Sequence, residues 1–136
     1  MSAEEIELNL PSDLDSIEKA VAEATKFASQ LGFSDDALFD IDLALREAVA
    51  NAVKHGNKFD ETKNVNLMIK ETRSGLEIAV RDFGRGFEVE DVPDPTNPEN
   101  LLKASGRGIL FMNNFMDSIE WLHHEQGTTV KMLKNR

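Results

Sequence analysis

The chain has 136 residues, enough for one domain with a core of its own, and its 40% hydrophobic and 29% charged content is that of a soluble globular protein. It contains no cysteine, which excludes disulfides and thiolate metal sites, and its net charge of -10 disfavours nucleic acid and anionic lipid as partners. The acidic opening MSAEEIELNL lacks the basic and apolar regions of a signal peptide, and no apolar run approaches the ~20 residues of a membrane span. A cytoplasmic protein is expected.

Ile6, Leu8 and Leu10 alternate with polar residues and predict a half-buried strand. Pro11-Ser12-Asp13 opens a helix with Ser12 or Asp13 as N-cap; Ile17, Ala20, Ala24, Phe27 and Leu31 form its stripe, and Gly32 stops it. Ser34 is the N-cap of a second helix, with Asp35 and Asp36 in the first turn and Phe33 and Leu38 as a hydrophobic staple. Its stripe is Leu38, Ile41, Leu45, Ala48 and Ala52, and Gly56 ends it. Val65, Leu67 and Ile69, then Leu76, Ile78 and Val80, mark two strands turned at Ser74-Gly75 and paired antiparallel.

From Glu88 to Ser105 the periodicity stops, and three of the four prolines fall in this stretch. A loop of that length in a compact domain, with at most a short helix near Leu101-Leu102, reads as a lid or as a disordered segment. A short apolar helix is predicted over Ile109 to Met116, then strands around Ile119 and Trp121 and from Thr128 to Leu133, turned at Gln126-Gly127. The order predicts a single domain over 1–136: a two-layer α+β sandwich, with a mixed, mostly antiparallel sheet and helices on one face.

Three groups of residues carry chemistry. Glu47, Asn51 and His55 are spaced four apart on the second helix and line one stripe beside the apolar one. Asn51 offers an amide oxygen to a hard cation, and Glu47 a carboxylate that accepts a proton. Asp82-Phe83-Gly84-Arg85-Gly86 follows a strand; its acid suits an exocyclic amine, and its glycines let a ligand approach the backbone. Gly106-Arg107-Gly108 opens a helix whose N–H groups suit phosphate, with Arg107 or Lys103 adding charge. Each group alone has an ordinary structural reading: a polar helix flank, a tight turn, a flexible helix start. His123 and His124 are adjacent on a predicted strand and point to opposite faces, so they cannot chelate one metal. Trp121 is expected in the core.

Taken in order, the three groups resemble the GHKL (Bergerat-fold) ATPases. Their N box is similar to Glu47 through Gly56, their first glycine box to Asp82 through Gly86, and their second to Gly106 through Gly108. Within that superfamily the sequence most resembles the anti-sigma-factor serine kinases. Arg46-Glu47-Ala48-Val49-Ala50-Asn51-Ala52, Asn114-Phe115-Met116-Asp117 and the closing Gly127-Thr128-Thr129-Val130 are typical of them. The resemblance implies ATP and magnesium as cofactors. It assigns Asn51 to magnesium and Glu47 as the base that activates a serine hydroxyl. It assigns Asp82 to adenine, supported by Thr129 or its neighbour Thr128. His55, Gly84, Gly86, Lys103, Ser105, Gly106, Arg107 and Gly108 complete the implied nucleotide site, and residues about 88–105 form its lid.

The implied partners are a STAS-type anti-anti-sigma protein, phosphorylated on serine, and a sigma factor, in a partner-switching circuit with a homodimer as a further expectation. Ala104 stands where some members carry arginine, and Phe83 where a polar residue is common. The alternative is a nucleotide-gated binding module without useful phosphoryl transfer. A sensor histidine kinase would carry a dimerising hairpin with a phosphoacceptor histidine, whereas this sequence starts at its first strand and has only His55, His123 and His124.

Overall fold

The computed structural model describes residues 5–84 and 115–136. Its elements follow the chain as β1 (Glu5–Pro11), α1 (Asp15–Gln30), α2 (Asp35–Asn51), a single π turn (Ala52–Gly56), β2 (Asn64–Glu71), β3 (Gly75–Arg81), β4 (Ser118–His123) and β5 (Thr128–Asn135). The five strands form one sheet in the order β1-β2-β3-β5-β4. All four pairings are antiparallel, so the sheet described here is antiparallel throughout rather than mixed. The predicted α+β class stands, with the two helices and the strands sharing one hydrophobic core.

Period-two patterning builds that core row by row. Leu8, Leu67, Val80, Val130 and Trp121 are successive cross-strand partners, and so are Ile6, Ile69, Ile78, Met132 and Ile119. Leu67, Ile69, Ile78 and Met132 have no exposed surface. From the helices, Ala20, Ala24 and Phe27 of α1 and Ile41, Leu45 and Ala48 of α2 are buried in the same cluster.

The helix ends are written in local chemistry. Of the two expected caps for α1, Asp13 accepts a hydrogen bond from the Ser16 N–H at 3.1 Å. Ser12 instead turns inward and donates to the Lys63 carbonyl. At the other end Phe33 N–H bonds to Ala28 O and Gly32 N–H to Ser29 O, with Gly32 at φ +90. That is a Schellman stop, which needs a left-handed residue and so favours glycine. Ser34 caps α2 by accepting from Ala37 N–H at 3.2 Å, as expected. Arg46 then ties α2 to α1 through Glu18 at 2.5 Å and also pairs with Asp42, one turn earlier on α2, at 2.6 Å.

Two features position the site. The last turn of α2 widens at Ala52, where the Asn57 N–H reaches back to the Ala52 carbonyl at 2.8 Å. The chain then passes through two left-handed non-glycine residues, Lys58 (φ 52) and Phe59 (φ 60). The predicted lid and most of the apolar helix over Ile109 to Met116 lie outside the described residues; within it Met116 is buried and Lys134 Nζ bonds to the Phe115 carbonyl at 2.8 Å.

Candidate nucleotide site

The end of α2 and the adjoining ends of β3, β4 and β5 enclose a cleft lined by Ala48, Asn51, Ala52, Val80, Asp82, Trp121, Thr128 and Val130. The cleft opens to solvent, and it encloses about 210 Å³ when the open space at its mouth is included. The walls are apolar except for Asn51 at the rim and Asp82 with Thr128 at the base.

Asp82 is only 3% exposed. Its backbone N–H donates to the Thr128 carbonyl, and its Oδ1 accepts from Gly84 N–H at 3.2 Å and Thr128 N–H at 3.3 Å. Three glycines make room for it. A Cβ on Gly56 would lie 2.3 Å from the Asp82 Cγ, one on Gly127 1.9 Å from the Asp82 carbonyl oxygen, and one on Gly84 1.8 Å from the Gly56 carbonyl oxygen. Gly127 also sits at φ +103, a backbone conformation L side chains rarely adopt. The carboxylate therefore packs on the bare backbone of Gly56, while Gly127 packs on the Asp82 main chain and Gly84 on the Gly56 carbonyl.

Burial pushes the Asp82 carboxyl above the usual carboxylate range, against the opposing pull of the Gly84 and Thr128 N–H groups. A carboxyl with a raised folded pKa binds more protons folded than unfolded. Its contribution therefore favours the folded protein at low pH and is lost as pH rises through that pKa. Asp82→Asn keeps the Oδ1 acceptor and removes the charge, so its melting temperature should gain on wild type as pH increases above 3.8. Parallel melting curves across that window, with no pH-dependent difference between the two proteins, would refute this.

Thr128 supplies the second polar group. It is 2% exposed, and its Oγ1 is buried without a hydrogen-bond partner among the described residues. A buried hydroxyl left unpaired at the base of an apolar cleft, beside a carboxylate, fits a ligand that offers both a donor and an acceptor. The amino-pyrimidine edge of adenine is such a ligand.

The predicted residues divide. Asp82, Asn51 and Thr128 meet in the cleft, and Glu47 lies half-buried one turn before Asn51 on the same side of α2. Gly84 shapes the Asp82 turn. Thr129 faces the other side of the sheet, where it contacts His124 Nε2 at 2.9 Å. Strand alternation makes this choice: Thr128 shares the face of Val130, and Thr129 cannot. His55 is exposed and takes no part in the cleft lining, because the π turn breaks the four-residue spacing that would have kept it in line with Asn51. Phe83 is half-buried under the Arg81 guanidinium at 4.6 Å and does not line the cleft. Gly86, Lys103, Ser105, Gly106, Arg107 and Gly108 lie outside the described residues, as does Ala104.

Sequence reasoning missed Trp121 as a cleft wall, Gly56 and Gly127 as packing partners of Asp82, and Asn57 altogether. Their types carried a faint signal. A glycine followed by a buried asparagine after a helix is an ordinary stop, and only the fold shows what it touches.

Among the described residues no cluster of three or more His, Cys, Asp or Glu could hold a metal by itself. A magnesium ion held by one protein amide, with nucleotide phosphates supplying other ligands, is compatible with that. Among them, too, no helix is long and apolar enough to cross a membrane.

The histidine kinase-like ATPase domain family matches residues 10–134. The serine-protein kinase RsbW of Bacillus licheniformis is 31% identical, over 98% of this chain and 86% of the relative. The RsbW of Listeria monocytogenes serovar 1/2a is 27% identical, over 96% and 87%. The anti-sigma F factor of Anoxybacillus flavithermus is 35% identical, over 80% and 77%. The crystal structure of the RsbU and RsbW domains of a Mycobacterium tuberculosis protein superposes with a TM-score of 0.70 at 18% identity, a likeness of fold. It covers 97% of this chain, which spans about a third of that one (32%). An α+β sandwich with a cleft between its second helix and its sheet, matched over residues 10–134 by that family, places the chain among ATPase-type domains. The chain belongs to the histidine kinase-like ATPase domain family, and its curated relatives include serine-protein kinases and anti-sigma factors.

Proposed function

We propose that this protein is an ATP- and magnesium-dependent serine kinase of the cytoplasm, acting as an anti-sigma regulatory factor in a partner-switching circuit. Its substrate is a serine on a STAS-type antagonist, and its second partner is a sigma factor. One observation carries the reading: Asp82 and the unpaired Thr128 hydroxyl lie in an apolar cleft with Asn51, and Glu47 stands one turn before Asn51 on α2. The names of the curated relatives support the kinase and anti-sigma parts.

Each residue has a role in that chemistry. Asp82 accepts from the adenine amine, and Thr128 Oγ1 pairs with the ring beside it. Asn51 presents its amide oxygen to magnesium, which neutralises charge on the phosphates when bound. Glu47 accepts the proton of the attacking serine hydroxyl. Phosphoryl transfer depends chiefly on positioning and charge stabilisation, so a small rigid site with one base suffices. Gly86, Gly106 and Gly108 would shape the phosphate end, with Lys103, Ser105 and Arg107 beside the phosphates.

The test is incubation with ATP, magnesium and the cognate antagonist, read as phosphoserine by mass spectrometry. Phosphoserine on the antagonist is expected. ATP binding with no transfer would instead favour the nucleotide-gated binding module.

A further inference from the structure

Asn57 is 2% exposed and joins four separate parts of the chain. Its Nδ2 donates to Ser12 Oγ at 2.8 Å and to the Asn64 carbonyl at 3.0 Å. Its Oδ1 accepts from the Phe83 N–H at 2.8 Å. The amide orientation follows from chemistry: a carbonyl oxygen can only accept and a backbone N–H can only donate. Ser12 in turn spends its own proton on the Lys63 carbonyl, so its oxygen is left to accept from Asn57.

The backbone around Asn57 is also fixed. Its N–H bonds to Ala52 O in the π turn, its carbonyl accepts from Asp60 N–H, and two left-handed residues follow it. Strained backbone of this kind persists only where surrounding contacts over-determine it. The bond to Phe83 N–H therefore ties a rigid group to the residue directly after Asp82. Asp82 is held on one side by β5 through Thr128 and on the other by Asn57 through Phe83.

The geometry points to Asn57 as a positioning residue that aims the Asp82 carboxylate at the base and so sets the preference for adenine. Ser12 is its anchor on the far side. This rests on the nucleotide reading above, and it adds a residue outside the cleft lining that governs specificity through the Asp82 turn.

The experiment compares dissociation constants for ATP and for the purine ribonucleoside triphosphate that lacks the exocyclic amine, using the full chain. Wild type should prefer ATP by about tenfold, the worth of one such hydrogen bond. Asn57→Ala should weaken ATP binding and shrink the preference to about twofold or less, while the analogue binds nearly as before. Ser12→Ala removes the anchor but leaves the Phe83 contact; it should lower the melting temperature and keep most of the preference. A purely structural asparagine would weaken both ligands equally.

An Asn57→Ala protein that keeps the wild-type preference overturns the positioning role and leaves the nucleotide reading intact. A wild type with no preference for the amine overturns the positioning role together with the Asp82–amine contact, and one that binds neither nucleotide overturns the nucleotide reading itself. Should Asn57→Ala fail to fold, hydrogen exchange of the Phe83 amide in wild type carries the test. Exchange slowed to the rate of global unfolding supports the tether, and exchange at the rate of a free loop amide overturns it.

Discussion

Glu47→Gln should lower the rate of serine phosphorylation by about 100- to 10,000-fold, the usual contribution of a positioned general base. ATP affinity should be nearly unchanged. Glutamine keeps the size and shape of the side chain and removes only its ability to take a proton. Glu47 is half-buried on α2, and among the described residues it makes no hydrogen bond or ion pair that the substitution would break. The loss would thus fall on turnover and not on folding or on nucleotide binding, which is the pattern of an interaction made only in the transition state. Single-turnover phosphorylation with saturating ATP, beside an ATP titration, separates the two. Turnover at the wild-type rate would remove Glu47 from the chemistry and leave the cleft as a binding site alone.

Gly56→Ala should cost at least about tenfold in ATP affinity, equal to ~1.4 kcal/mol, with a smaller loss of stability than Gly84→Ala. The new methyl on Gly56 would meet the Asp82 Cβ at 2.6 Å, Cγ at 2.3 Å and Oδ2 at 2.4 Å. The carboxylate must therefore move from its place beside Thr128 and Gly84. A methyl on Gly84 would instead strike backbone, 1.8 Å from the Gly56 carbonyl oxygen and 2.6 Å from its carbon. Backbone cannot rotate away, so Gly84→Ala should lose ~1–3 kcal/mol of stability, in the range of overpacked cores. Thermal melts and ATP titrations of both variants distinguish a displaced side chain from a displaced chain. A Gly56→Ala protein that binds ATP as wild type does would mean that the adenine contact does not pass through Asp82.

Both expectations show why glycine is informative here. The boxes seen in the sequence explained Gly84 as a residue that lets a ligand come close to the backbone. The fold shows that Gly56, Gly84 and Gly127 first let the protein come close to itself, and they leave a single acid poised in the cleft. Gly56 read as a helix stop and Gly127 as a turn, and both readings are correct locally. Neither reveals that the two residues, 71 positions apart by number, close on Asp82.

The elements themselves were legible because their causes are local. Alternation over Val65 to Ile69 and Leu76 to Val80 produced buried faces on β2 and β3, and a serine before two aspartates produced the start of α2. The chemistry-bearing types were legible too: an acid and an amide one turn apart, and an acid followed by glycine at a strand's end. The order of the strands was not. β5 enters between β3 and β4, and no short-range pattern encodes which strands become neighbours across long separations.

Three decisions about the site belonged to the tertiary structure. The choice between Thr128 and Thr129 turned on strand parity, which a one-residue shift reverses. The exclusion of His55 turned on a π turn, in which the period of the helix changes at the position where the spacing argument needed it constant. The role of Asn57 turned on side-chain bonds to Ser12 and Phe83, 45 and 26 residues away. What the sequence determined by itself was the kind of chemistry and the elements that carry it, since both follow from residue type and short-range period. Which atoms face the cleft was decided by packing, since that depends on contacts between segments whose spacing along the chain says nothing about their meeting.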